Sequence, residues 1–339
     1  MFCAKIVAII RVISKMFELS VILLIDFGIA ISVALGIGAG NESMAPLAGS
    51  GIATVKTATF LGAILAFFGA VVLGYRVEGT IGRGLLTYEV APVDVLVIMF
   101  SMAIWSIVAS YRGWPISITH SSVGAAIGLA LTKWGVNSIN WVVLTSMAVI
   151  WVLSPLIALF NAVLVMRIIR YSLRRHPAGL IREMRIARLL AIPLLVWSGI
   201  FAFSAGANDI GKATAFLSVV YGNSLLVRVI TGLGLLFGSI VLGRRVTRSI
   251  GLRLVKLDPV MALSAETTMA LIMLFGTLSG LPLSGTHILV GAVIGVASAR
   301  GVWINIKGLR QIILTWLATF FVVTLLCAAV FLVVTRFLL

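Results

Sequence analysis

The chain repeats itself. Pro115 to Gly128 reads PISITHSSVGAAIG and Pro282 to Gly295 reads PLSGTHILVGAVIG, so proline, serine, threonine, histidine and two later glycines recur in register. The offset is 167 residues (287 − 120 for the histidines). Asn41-Glu42 in GAGNESMA stands at the same offset from Asn208-Asp209 in GANDIGKA (208 − 41). Only three histidines occur in 339 residues, so two of them in one repeated segment mark an internal duplication. GAVVLG at 69–74 answers GSIVLG at 238–243, which carries the likeness beyond the polar motifs. Such a chain folds as two like halves around a shared centre. Polar, Gly-rich segments set in apolar surroundings point to a membrane transporter with its site between repeats.

The surroundings are apolar throughout: 61% of residues are hydrophobic and 11% charged, with mean hydropathy +1.19. No soluble domain hides that much apolar surface. A bilayer-spanning helix needs ~20 residues. Candidate spans lie at 19–38, 53–74, 91–110, 119–133, 139–166, 189–203, 215–243, 260–280, 287–299 and 311–336. Segments 189–203 and 287–299 are too short to cross alone and sit beside Gly/Pro breaks, which predicts broken or re-entrant helices. The expected fold is an all-α polytopic membrane protein of two repeats. A stub at 1–18 precedes repeat one at 19–166. A basic linker at 167–188 leads to repeat two, from 189 to the end at 339.

Net charge is +16, concentrated in short loops, which reads as positive-inside topology and not as nucleic-acid binding. Seven arginines between Arg167 and Arg188 face one acid, Glu183, so the linker is expected in the cytoplasm of a cell-membrane protein. Loops 75–90 and 133–140 hold Arg76, Arg83 and Lys133, diluted by Glu78 and Glu89. Their counterparts 244–256 and 300–310 hold eight basic residues. Equivalent loops of unequal charge belong on opposite sides, which predicts inverted repeats; the basic stub argues the other way. Membrane lipids are expected partners, and a homo-oligomer is an open alternative. Cys3 and Cys327 are isolated and suggest neither a disulfide nor a metal site. No removable signal peptide is expected.

Carboxylates within apolar stretches are costly, at least ~2.5 kcal/mol each, and normally line a cavity, hold a cation or carry a proton. Glu42, Asp209 and Glu266 are the candidates for ion coupling, and Glu42 and Asp209 would also seat a sodium ion. Asp26 has no counterpart in the second half. The glycines of GAGNES and GANDIGKA predict unwound backbone at both motifs, where freed N–H groups favour an anion and freed carbonyls a small cation. A tight crossing of small residues explains glycine equally, but not the repeated Asn–acid pair. In the proline motifs, Ser117, Thr119, Ser284 and Thr286 offer hydroxyls at a helix start, suited to a tetrahedral oxyanion or to capping the helix. His120 and His287 read either as structural hydrogen-bonding groups that fix the helix break or as substrate contacts and proton relays. No Cys/His cluster has zinc spacing, and no cofactor is implied.

FSAGANDIGKATA, PLSGTHILVGAVIGVASARG, PISITHSSVGAAIG and, more weakly, GAGNESMAPLAGSG resemble the paired signatures of the inorganic phosphate transporter (PiT) family. That pattern is roughly G-A-N-D-x-x-N-A and P-V-S-T-T-H-x-x-x-G-A, once in each half. The resemblance implies a bundle with inverted repeats and re-entrant hairpins, and uptake of inorganic phosphate coupled to sodium or protons. It places Asn41, Glu42, Asn208, Asp209, Ser117, Thr119, Ser284 and Thr286 around substrate and ion. This chain departs from the pattern. The second asparagine is Ala45 in one motif and Lys212 in the other, the middle threonine is Ile118 and Gly285, and the first acid is Glu42. Lys212 stands three residues after Asp209, on the same face of a helix. It reads either as an anion-binding ammonium that alters coupling or as a plain ion pair with Asp209. Relatives that carry sulfate make a sulfate permease the nearest rival. An intramembrane enzyme is disfavoured, because symmetric motifs suit a hydrolytic site poorly. A passive channel would need a repeated filter, and ATP-driven transport a P-loop.

Overall fold

The computed structural model describes residues 21, 24–112, 114, 116–173, 180–244, 247 and 255–338. The stub, Pro115 and the middle of the linker lie outside them. The helices are α1 (Leu24–Ala39), α2 (Ala45–Gly49), α3 (Val55–Leu73), α4 (Tyr75–Gly82), α5 (Pro92–Arg112), α6 (Ile118–Lys133), α7 (Trp141–Ser172), α8 (Leu180–Ala213), α9 (Ala215–Tyr221), α10 (Ser224–Leu242), α11 (Pro259–Leu278), α12 (Gly285–Arg300) and α13 (Ile306–Leu338). Seven helices among the described residues are long and apolar enough to cross a bilayer. The chain is an all-helical, multi-pass membrane protein.

Helix starts are written locally. Thr54, Ser117, Asn140, Asn223 and Asp258 each accept an amide of the first turn with their side chains, which satisfies a donor that the helix cannot. Gly222 and Gly301 take left-handed backbone at the ends of α9 and α12.

Three expectations about elements are corrected. Segment 189–203 is no short piece: α8 runs unbroken for 34 residues, through Pro193 and through GANDIGKA. Segment 215–243 is two helices, divided at Gly222 and Asn223. The loop 75–90 contains α4. Its Glu78 is buried against Arg228, and Lys133 pairs with Asp94 at 2.7 Å. Neither is a free loop charge.

Glycines weld the two halves together. A methyl at Gly124 or Gly128 would overlap the Phe320 or Thr324 carbonyl, so α6 lies against α13. At the same offset, Gly291 and Gly295 meet the Pro155 and Leu159 carbonyls, so α12 lies against α7. Gly69 and Gly206 join α3 to α8, while Gly38, Gly234 and Gly238 join α1 to α10. Each of these four pairs takes one helix from each half. Backbones that close need small residues, and in a membrane such packing drives association.

These contacts also fix direction. The rings of His120 and Trp151 are 4.3 Å apart and those of His287 and Trp316 3.9 Å, so α7 runs antiparallel to α6, and α13 to α12. Contacts 155–291 and 159–295 advance together, so α7 and α12 are parallel. Helices α6 and α12, which carry the same motif, therefore run in opposite directions.

Candidate functional site

Helices α6 and α12 meet head to head. Ser117 and Ser284, their N-caps, are hydrogen-bonded to each other at 3.2 Å, a contact across the 167-residue repeat itself. Ser284 Oγ also pairs with Thr286 Oγ1 at 2.9 Å. Thr119 Oγ1 donates to the Leu283 carbonyl at 3.0 Å. All four hydroxyl residues are buried. Each helix is 16 residues, about 24 Å, too short for a ~30 Å hydrocarbon core. Both positive helix ends therefore point at one place inside the protein. Gly280, at φ +71°, turns the chain out of α11 towards Pro282; Thr80 donates to its carbonyl at 2.7 Å.

The Asn–acid motifs flank this point but are built differently. In the first half the chain leaves the helix at Gly40, and Asn41 Oδ1 accepts the Ser43 amide at 3.0 Å. That Asx turn carries the chain from α1 to α2. In the second half the expected unwinding does not occur. Gly206 and Gly211 serve close packing against Ala66 and Gly74, and α8 ends only at Ala213. The asparagine amides hold helices: Asn41 Nδ2 donates to Ser239, Asn208 Nδ2 to Thr277 and the Leu281 carbonyl. Asn208 Oδ1 is buried and unpartnered.

Asp209 and Lys212 form an ion pair at 2.7 Å on one face of α8, with Asp209 26% and Lys212 1% exposed at the side chain. The Lys212 ammonium also donates to the Leu283 carbonyl at 2.6 Å and Thr119 Oγ1 at 3.1 Å. Its own carbonyl takes Ser122 Oγ at 2.8 Å, which seats the end of α8 on α6. Glu42 is half-buried, lies beside Gly285 at the first turn of α12, and feels the charges of Asp209 and Lys212. It enters none of the ion pairs among the described residues. Carboxylates thus stand at the accessible side and hydroxyls behind them.

Glu266 is not brought into this cluster. It is fully buried on α11, facing Ser198 of α8 and the Leu47 backbone, with neither carboxylate oxygen in a formed hydrogen bond. Ser198 and Asp209 are eleven residues apart on α8 (209 − 198), about three turns. Asp26 is held by Tyr221 Oη at 2.5 Å.

One of the two motif histidines meets a carbonyl that Pro155 sets free. Proline inside α7 has no N–H, so the Trp151 carbonyl is left without its helical partner. His287 Nδ1 donates to that carbonyl at 3.2 Å. Its hydrogen bond is structural, although it steadies α7 and not the motif's helix break. The matching residue of α13 is Phe320, which leaves no free carbonyl, and His120 Nδ1 has no partner. The histidine rings are 5.1 Å apart.

A buried cluster that the motifs do not announce lies just past the C-terminal end of α8, where Thr214 follows Lys212 by two residues. Glu78 accepts from Arg228 at 2.9 Å, Ser224 at 2.6 Å and Thr214 at 2.7 Å, and Arg228 also reaches Ser224 and the Val71 carbonyl. The sequence signal was an arginine inside an apolar stretch.

Residues 35–327 match the phosphate transporter family. A protein of Pyrococcus abyssi named as a phosphate permease is 25% identical, over 91% of this chain and 96% of its own. One of Chlamydia muridarum, likewise named, is 28% identical over 84% and 92%. The chloroplast inorganic phosphate transporter 2-1 of Arabidopsis thaliana is 28% identical over 85% of this chain and 68% of its own. A solved structure described as the sodium-dependent phosphate transporter superposes with TM-score 0.85 at 24% identity, covering 94% of this chain and all of that one. The fold is shared.

Proposed function

This chain belongs to the phosphate transporter family, a family of transporters and not of enzymes. From that premise we propose that it takes up inorganic phosphate across the cell membrane as a secondary active transporter, coupled to a proton or sodium gradient. The observation that carries the reading is the head-to-head meeting of α6 and α12 at Ser117 and Ser284. Two helix N-termini and their hydroxyls favour an oxyanion, and the two serines, bonded to each other, can each turn to a ligand. Thr119, Thr286, Asn208 and Lys212 border the same point; Asn41 orders the break beside it.

Phosphate is favoured over sulfate by what stands opposite. Glu42, Asp209 and the free Asn208 Oδ1 are acceptors, and a protonated phosphate brings O–H donors to them where sulfate brings none. Glu42 is the coupling carboxylate of the first half. Glu266, buried without a cation, is a further carrier of a proton or ion. Residues 19–166 and 189–339 act as inverted repeats, supported by the opposed directions of α6 and α12, and the basic linker 167–188 lies in the cytoplasm. The relatives' names and the neighbour's sodium dependence agree with this reading.

Uptake into proteoliposomes tests it, with labelled phosphate set against labelled sulfate under independent sodium and pH gradients. Concentrative phosphate uptake is expected. Preference for sulfate, or no accumulation under either gradient, would overturn the reading.

A further inference from the structure

The Lys212 ammonium sits in a complete oxygen cage. It has three donors, and three oxygens meet it: Asp209 Oδ1 at 2.7 Å, the Leu283 carbonyl at 2.6 Å and Thr119 Oγ1 at 3.1 Å. They come from α8, the segment before α12, and α6. A carboxylate, a carbonyl and a hydroxyl converging from three elements are the hard donor set that a small metal cation takes. Here a side chain fills it. The first half has no such group: Ala45 stands where Lys212 does (212 − 45 = 167), and Glu42 has no ion-pair partner among the described residues.

We propose that the Lys212 ammonium is a tethered cation that permanently occupies an ion seat at Asp209, so that coupling to an ion gradient falls to the Glu42 side alone. The inference rests on the phosphate-uptake reading. A coupling ion transmits the energy of its gradient because it enters from one side and leaves on the other. A covalently held charge balances the anion equally well electrostatically, but it does not cross the membrane. Within the cluster, Lys212 cancels Asp209, and Glu42 is left as the one carboxyl without a fixed counter-charge, free to take a proton or a cation. An incoming phosphate anion then needs a proton or cation only there. The arrangement replaces one transported ion with a fixed one, and the transporter moves fewer ions for each phosphate.

Two measurements test this. The first follows phosphate uptake against external sodium in proteoliposomes. Lys212→Asn opens the seat, so its uptake should depend on about one more sodium ion per phosphate. It should fall about tenfold on replacing sodium with choline, the parent changing less, which corresponds to ~1.4 kcal/mol of added ion linkage. The same sodium order in both proteins would overturn the proposal. The second needs no variant. Carbodiimide modification of Asp209 in the purified parent, read by peptide mass spectrometry, should be unaffected by sodium. Protection of Asp209 by sodium would mean that the ion displaces the ammonium, and would reject the idea. A parent with no phosphate uptake under any gradient would remove the phosphate reading instead, and the labelling result would still decide who occupies the cage.

Discussion

GAGNES and GANDIGKA descend from one motif and have been put to opposite uses. The first is broken backbone, turned by the Asx contact of Asn41, with a half-buried acid that has no ion-pair partner. The second is continuous helix, its glycines absorbed by α3 and α4, with an acid neutralised three residues later by Lys212. A repeated motif makes two sites alike in sequence and not alike in chemistry. The two sites differ in backbone and in charge, Lys212 standing against Ala45.

The strongest way to break this comparison is to neutralise each acid. Glu42→Gln should abolish concentrative uptake while leaving a folded protein and phosphate exchange intact. Asp209→Asn should also abolish uptake, but for another reason. It strands a buried ammonium, at a cost of about 2–4 kcal/mol, somewhat less than for a fully buried pair because Asp209 is partly exposed. Asp209→Asn with Lys212→Met should restore stability, measured by thermal unfolding in detergent. Equal stability of both single variants would sink the asymmetry.

Away from the uptake site, Arg228→Met leaves Glu78 buried without its counter-charge. A loss of ~3–5 kcal/mol is expected, and the double change with Glu78→Gln should recover most of it. No recovery would mean that the pair acts through something other than charge.

A smaller effect sharpens the symmetry instead. Gly128→Ala and Gly295→Ala each push a methyl into a carbonyl of the opposite half and should each cost about 1–3 kcal/mol. Closely matched losses support equivalent joints; a loss at only one of them counts against. Smallest is Ser117→Ala against Ser284→Ala. Each removes one hydroxyl partner, about 0.5–1.5 kcal/mol. Both should raise the KM for phosphate; Ser117→Ala also uncaps the His120 amide, whereas Ser284→Ala leaves Thr286 without its partner.

The duplication was legible because histidine is rare here and both copies of the motif kept it. The head-to-head serines followed from the same 167-residue offset. The second motif's backbone was not legible. Glycine before an acid looks the same whether it frees the chain or admits a neighbour's carbonyl, and only the position of Ala66 decides it. The partner of His287 was in principle readable, because a proline in a helix frees the carbonyl four residues earlier. Pro155 against Phe320 carries that difference, but the facing of α7 and α12 had first to be known. That Glu78 and Lys133 are paired with Arg228 and Asp94 was not legible from their loop positions.

The glycine joints set a timetable for synthesis. Gly124 rests on the carbonyl of Phe320, and Gly128 on that of Thr324. In sequence, 196 residues separate each glycine from the carbonyl it fits (320 − 124 and 324 − 128). At ~5–20 residues per second, the ribosome leaves α6 waiting about 10–40 s for its partner. During that interval a 16-residue helix with three serines, a threonine and a histidine at its head has to be sheltered from lipid by the insertion machinery or by other early helices. A nascent chain cut between the halves would carry four unfilled seams. Two separately made halves should become stable only where both are present in the same membrane, inserted in opposite senses, as an ancestral pair of single-repeat chains would have had to be.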